Sequence, residues 1–185
     1  MLKHHSALGL AKAPNGNAQV VAIAAQRPVQ PVTLLRPHAA ARAARFFIEK
    51  FPGRSLYAVK ANPSPELLRI LWDAGVTHYD VASLGEVRLV AETLPQAVQC
   101  FMHPVKAVEA IEEAYFTYGV KTFSLDTMDE LDKIMRATRG ASDLNLLCSE
   151  LTRMRTSRLR SVAPRVARMI LSSSSCVSRL KVFTP

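Results

Sequence analysis

No acidic residue occurs before Glu49, although Lys3, Lys12, Arg27, Arg36, Arg42 and Arg45 all precede it. A stretch so one-sided has the charge pattern of an organellar transit peptide or of an unprocessed leader. It lacks the continuous apolar core of a secretory signal, so export is not expected and a cytoplasmic location is. Nor does any apolar run approach the 18 or so residues of a membrane span, and no membrane partner is expected. Cysteine is scarce: Cys100, Cys148 and Cys176 lie far apart with no CxxC or Cys/His spacing. That excludes a recognisable zinc or disulfide framework and fits reduced intracellular thiols. No GxGxxG or GxxxxGK[ST] segment follows any candidate strand, which weighs against a nucleotide-binding α/β protein.

With 185 residues, 49% of them hydrophobic, the chain is long enough for one domain with a sizeable core and short for two. Its net charge of +9 is unevenly placed. Residues 1–147 are nearly balanced, whereas residues 148–185 set seven arginines and Lys181 against Glu150 alone. The basicity therefore belongs to the tail.

Between these flanks the sequence alternates regularly. Residues 1–31 are rich in Ala, Pro, Asn and Gln without clear period and read as a loose leader. "PHAAARAARFFIEKF" from Pro37 predicts a helix with proline at its start. "SLYAVKA" (55–61) reads as a strand, and "SPELLRILWDAG" (64–75) as a helix with Ser64 as N-cap, Pro65 at its first position and Gly75 as its stop. "HYDVAS" (78–83), "VQCFMHP" (98–104), "KTFSLDT" (121–127) and "DLNLLC" (143–148) continue as strands. Capping boxes Ser83–Glu86 and Thr127–Glu130 open two of the intervening helices. This repeated unit of strand and helix implies parallel strands. Two closures fit it, an open doubly wound sheet or a (β/α)8 barrel. Lys60, Asp80, His103 and Asp126 fall at successive strand ends, where barrel enzymes gather their chemistry, and this favours the barrel.

Lys60 has two readings on residues alone. It is either a lysine snorkelling from a strand edge or an amine held in a partly desolvated site, where the neutral form can attack an aldehyde. Asp80 is either a loop-capping carboxylate or part of that site. Glu86 is accounted for by its capping box, and His103 by a satisfied loop position. The acidic clusters Glu109, Glu112, Glu113 and Asp129, Glu130, Asp132 read as solvated helix faces.

The motifs add a resemblance. Tyr57-Ala58-Val59-Lys60-Ala61-Asn62, followed after a helix by Tyr79-Asp80-Val81-Ala82-Ser83-Leu84-Gly85-Glu86, resembles the Y-A-[VL]-K-[AC]-N and F-D-x-A-S-x-x-E pair of the fold-type III pyridoxal-phosphate decarboxylases. These are the ornithine, diaminopimelate, lysine and arginine decarboxylases, related in fold to alanine racemase. "HPVKAVEAIEEAYFTYGVKTFSLDTMDELDKI" is similar to the family's next two units, which open N-P-x-K, with His103 where many members have Asn. The similarity covers about residues 45–147. It implies an incomplete TIM-type barrel of about five βα units over residues 32–148. It further implies pyridoxal 5'-phosphate as cofactor, Lys60 as its Schiff-base lysine, Asp80 beside it, and decarboxylation of a small basic amino acid, ornithine before diaminopimelate. A cofactor-binding barrel without enzymatic activity, or a regulatory homologue, is the alternative.

Residues 149–185 depart from the family. They show no match to its ring-stacking histidine, glycine-rich phosphate loop, pyridine-pairing acid or C-terminal β-domain. A frameshifted or truncated product is the favoured expectation, so the chain is expected to be inactive, and the family's homodimer is doubtful here. A basic nucleic-acid-binding tail and a divergent but folded ending are weaker alternatives, since "RSVAPRVARMIL" would form a basic amphipathic helix, but one interrupted by Pro164 and without the aromatic residues that stack on bases.

Overall fold

The computed structural model describes residues 16–148, 168–171 and 181–182. The chain divides into two compact units, Met1–Arg36 and Pro37–Pro185. In the first, α1 (Gly16–Ala25) is helical where the composition suggested a loose leader. Six Ala and Val residues from Ala18 to Ala25, uninterrupted by proline, supply the propensity that the aperiodic pattern conceals.

The second unit opens with α2 (Pro37–Lys50) and continues as β1 (Tyr57–Ala58), a single 3-10 turn (Val59–Ala61), α3 (Pro65–Asp73), β2 (His78–Val81), α4 (Leu84–Thr93), β3 (Val98–Phe101), α5 (Val108–Phe116), β4 (Thr122–Leu125), α6 (Met128–Ala137) and β5 (Asn145–Cys148). Two further strands follow, β6 (Arg168–Leu171) and β7 (Lys181–Val182). The strands lie in chain order, β1 to β7, parallel as far as β6, with β7 antiparallel to it.

That order decides between the two closures. A doubly wound sheet reverses its strand order at a switch point and places helices on both faces. Here every strand neighbours its successor, and α2 to α6 each pack beside the next helix, so the helices share one face. This is the topology of a barrel wall. Residues 168–171, expected within a basic helix, instead extend the wall as β6, since Met169, Ile170 and Leu171 pair in register with Leu146, Leu147 and Cys148. Apart from β7, the remainder of the tail lies outside the described residues, and so does the expectation of a frameshift.

The punctuation of the helices follows from local chemistry. The Ser64 hydroxyl accepts from the Leu67 amide, and Pro65 fills the first helical position. Gly75 ends α3 at φ +104°, a left-handed conformation costly to a residue with a Cβ, and its amide donates to the Trp72 carbonyl. The core lies between strands and helices. Tyr79 and Val81 of β2, Phe101 of β3, Phe123 and Leu125 of β4 and Leu146 of β5 pack against Leu68, Val87, Val90, Ile111, Leu131 and Ile134. Each such side chain contributes roughly 1.5–3 kcal/mol through burial.

Candidate cofactor site

Strand alternation sends the intervening residues to the opposite, concave face. Register there aligns Ala58, Asp80, Cys100, Thr122 and Asn145 in one row across five strands. Asp80, Thr122 and Asn145 make this row more polar than the helix-facing layer. Asp80 is half-buried in it, and burial raises its carboxyl pKa, opposed by the positive charge of Lys60 and reinforced by Glu86. Cys100, behind it, is buried and free, its thiol pushed up to about 11 mainly by burial. Such a thiol is inert at neutral pH.

Lys60 departs from the expected geometry. It lies in the 3-10 turn beyond a two-residue strand rather than within a seven-residue one, and its side chain is exposed rather than desolvated. The cause is position. Among the described residues β1 pairs only with β2, so ladder bonds hold it on one side alone. The Tyr57 hydroxyl donates to the Asn62 carbonyl and the Ser64 amide to the Asn62 side chain, which curl the chain behind Lys60 into α3. Lys60 thus sits at the C-terminal end of the strands with Asp80 within electrostatic reach.

The other candidates separate. Glu86 serves the cap: its amide donates to the Ser83 hydroxyl at 3.2 Å, and its carboxylate accepts from the Ala82 amide at 2.8 Å. His103 is exposed in the loop after β3. Asp126 follows β4 and takes part in the charge environment of Lys106.

Lys106 is the residue that sequence reasoning missed. Its side chain is fully buried, and its Nζ donates to the carbonyls of His103 and Ser124, both at 2.7 Å, and lies 3.4 Å from Glu130. Glu130, read from sequence as a cap and a solvated face, is buried instead. Its amide does donate to the Thr127 hydroxyl, the expected cap, but its carboxylate turns inward to the Lys106 amide at 3.1 Å and to Lys133. Burial alone would raise the Glu130 pKa, yet the bonds from Lys133 and from Lys106 hold it below the usual carboxylate value. The lysine of the "HPVK" segment was the available signal, but an isolated lysine beside proline carries no burial information. Glu109, Glu112 and Asp129 do lie on exposed surface, where Glu112 faces Arg139 and the half-buried Glu113 pairs with Arg88.

A cavity of about 350 Å³, lined by Arg54, Ser55, Val76 and Thr77 among others, opens at the N-terminal strand ends, away from Lys60. Among the described residues no helix is long and apolar enough to cross a membrane.

The sequence matches a known family. The pyridoxal binding domain of the pyridoxal-dependent decarboxylases aligns with residues 38–160. The chain belongs to this family. A lysine/ornithine decarboxylase from Selenomonas ruminantium is 39% identical over 89 residues, which are 48% of this chain and 22% of that protein. A probable ornithine decarboxylase from Dictyostelium discoideum is 37% identical over 79 residues, 42% of this chain and 17% of its own length. Among solved structures, the lysine/ornithine decarboxylase of Vibrio vulnificus complexed with putrescine is 25% identical with a TM-score of 0.65, covering 84% of this chain and 44% of that one. The chain thus spans less than half of that relative, and its fold is an incomplete α/β TIM-type barrel.

Pyridoxal phosphate is the cofactor that the family binds, and the donor set here fits its aldehyde end. An exposed primary amine stands at the strand ends, and a half-buried carboxylate lies close enough to feel its charge.

Proposed function

We propose that this chain carries the cofactor-holding half of a decarboxylase acting on a basic amino acid, with ornithine as the first substrate and lysine the second. The observation that carries the reading is the placement of Lys60 in the turn after β1, within electrostatic reach of Asp80 and inside the family-matched span. The order of substrates is supported by the two curated relatives, whose names share ornithine.

Lys60 would hold the cofactor covalently through its ε-amine, and its exposure leaves that amine open to an aldehyde. Asp80, when ionised, would hold positive charge near the strand ends; burial favours its neutral form, and the charge of Lys60 opposes that. Glu86 stays with the Ala82 amide, which leaves Asp80 as the carboxylate facing Lys60. When bound, pyridoxal phosphate supplies an electron sink for the pair left behind as the substrate carboxylate departs as carbon dioxide.

The test is to incubate the chain with pyridoxal phosphate, reduce with borohydride and map the modified lysine, then to assay carbon dioxide release from ornithine and lysine. Labelling of Lys60 supports the cofactor-holding role, and release from either amino acid would overturn the expectation that this chain is inactive. Labelling without release fits an inactive half as well as a cofactor-binding homologue, and absence of labelling at Lys60 removes both.

A further inference from the structure

Lys106, Glu130 and Lys133 form a compact charge group in the wall, and none of the roles assigned above uses it. Three features single it out. Lys106 Nζ has three acceptors, the His103 and Ser124 carbonyls and the Glu130 carboxylate, which match the three donors of an ammonium. The group is reciprocal, since the Lys106 amide donates to Glu130 and Lys133 Nζ donates to the Lys106 carbonyl at 2.7 Å. It is also buried, with no exposure of the Lys106 side chain and 7% for Glu130.

Packing alone does not call for such a group. Buried ion pairs are commonly replaced by apolar side chains of similar volume without loss of stability. What a lysine provides and an apolar side chain cannot is direction. Its two carbonyl bonds join the loop after β3 to the end of β4, and Glu130 joins both to α6. All of these atoms lie at the same strand ends as Lys60. The tie reaches the strand of Asp80 as well, because the Met102 amide, next to His103, donates to the Val81 carbonyl, next to Asp80.

We propose that Lys106 is a positioning residue of the cofactor site, fixing the 102–107 loop and the end of β2 so that Asp80 keeps a set place at the end of the wall that also carries Lys60. This rests on the reading of Lys60 as the cofactor lysine. Lys106 touches neither Lys60 nor Asp80 and acts through the backbone.

The full chain carrying Lys106→Met tests it with two readouts, amide hydrogen exchange and the pyridoxal phosphate concentration that half-saturates labelling of Lys60 under borohydride. Loss of a buried charged hydrogen-bond set predicts exchange at residues 102–107 and a half-saturating concentration each raised about tenfold. Exchange at Ile111 and Ile134 and the maximal extent of labelling stay unchanged. If Lys106→Met loses protection throughout, Glu130→Gln, which keeps the two carbonyl bonds, takes its place with about a threefold effect expected on both readouts. Unchanged half-saturation in the folded variant overturns the positioning role while leaving Lys60 as the cofactor lysine. Absence of Lys60 labelling in the unsubstituted chain overturns the functional reading and the positioning role with it, whereas the exchange of the 102–107 loop reads the clamp separately.

Discussion

Asp80 stands opposite Ala58 across the β1–β2 ladder, two residues before Lys60, so the carboxylate and the amine come from adjacent strands at the same end of the wall. The placement is costly for the fold by itself. A carboxyl whose folded pKa is raised by burial binds its proton more tightly when folded, so it opposes folding as pH rises above its unfolded pKa, and fully so above the folded one.

Asp80→Asn should therefore stabilise the cofactor-free protein at pH 7. Because Asp80 is only half-buried and solvent screens it, the gain should be about 0.5 kcal/mol, and it should vanish below roughly pH 4, where the aspartate is protonated in both states. The same variant should weaken labelling of Lys60 by pyridoxal phosphate. Thermal melts at both pH values, beside the labelling titration, check this. A stabilised variant that labels normally would detach Asp80 from the site.

Glu130 has the opposite sign. Its folded pKa is held below the ordinary value by Lys133 and Lys106, so its contribution is present above the unfolded pKa and is lost as pH falls through the folded one. Glu130→Gln should lower stability at pH 7 by about 1–3 kcal/mol, the cost of leaving Lys106 with a weakened partner in a buried site, and should flatten the acid limb of the stability curve below about pH 4.5. Urea denaturation across pH 3 to 8 reads both effects.

The helix caps offer a graded comparison. The Glu86 amide lies 3.2 Å from the Ser83 hydroxyl, whereas the Leu67 amide lies 3.5 Å from that of Ser64. Ser83→Ala should cost about 1 kcal/mol and Ser64→Ala about half that, because proline already fixes the start of α3. Equal losses in denaturant titrations would mean that bond length does not rank these caps.

Much of this was readable in the chain. The period of strand and helix, the caps at Ser64, Ser83 and Thr127 and the stop at Gly75 are local signals, written within a few residues of where they act. The order of the strands was not, because two closures share one βα alternation and only pairing separates them. Lys60 was placed in the correct unit, but its 3-10 turn depends on β1 pairing with β2 alone among the described residues and on bonds between Asn62 and its neighbours. Glu130 was the clearest miss. Its position in Thr-x-x-Glu explains it locally, whereas its real partner is 24 residues away in another unit, a distance that no local pattern spans. The strand at Arg168–Leu171 was likewise obscured by the arginines and serines around it.

The most direct test of the central claim is peptide mapping of the full chain after incubation with pyridoxal phosphate and reduction with borohydride, beside Lys60→Ala. The account predicts that one saturable pyridoxyl group forms on Lys60 at concentrations that leave the other lysines unmodified, and that it is absent from the variant. Modification spread evenly over exposed lysines and undiminished in Lys60→Ala would contradict it.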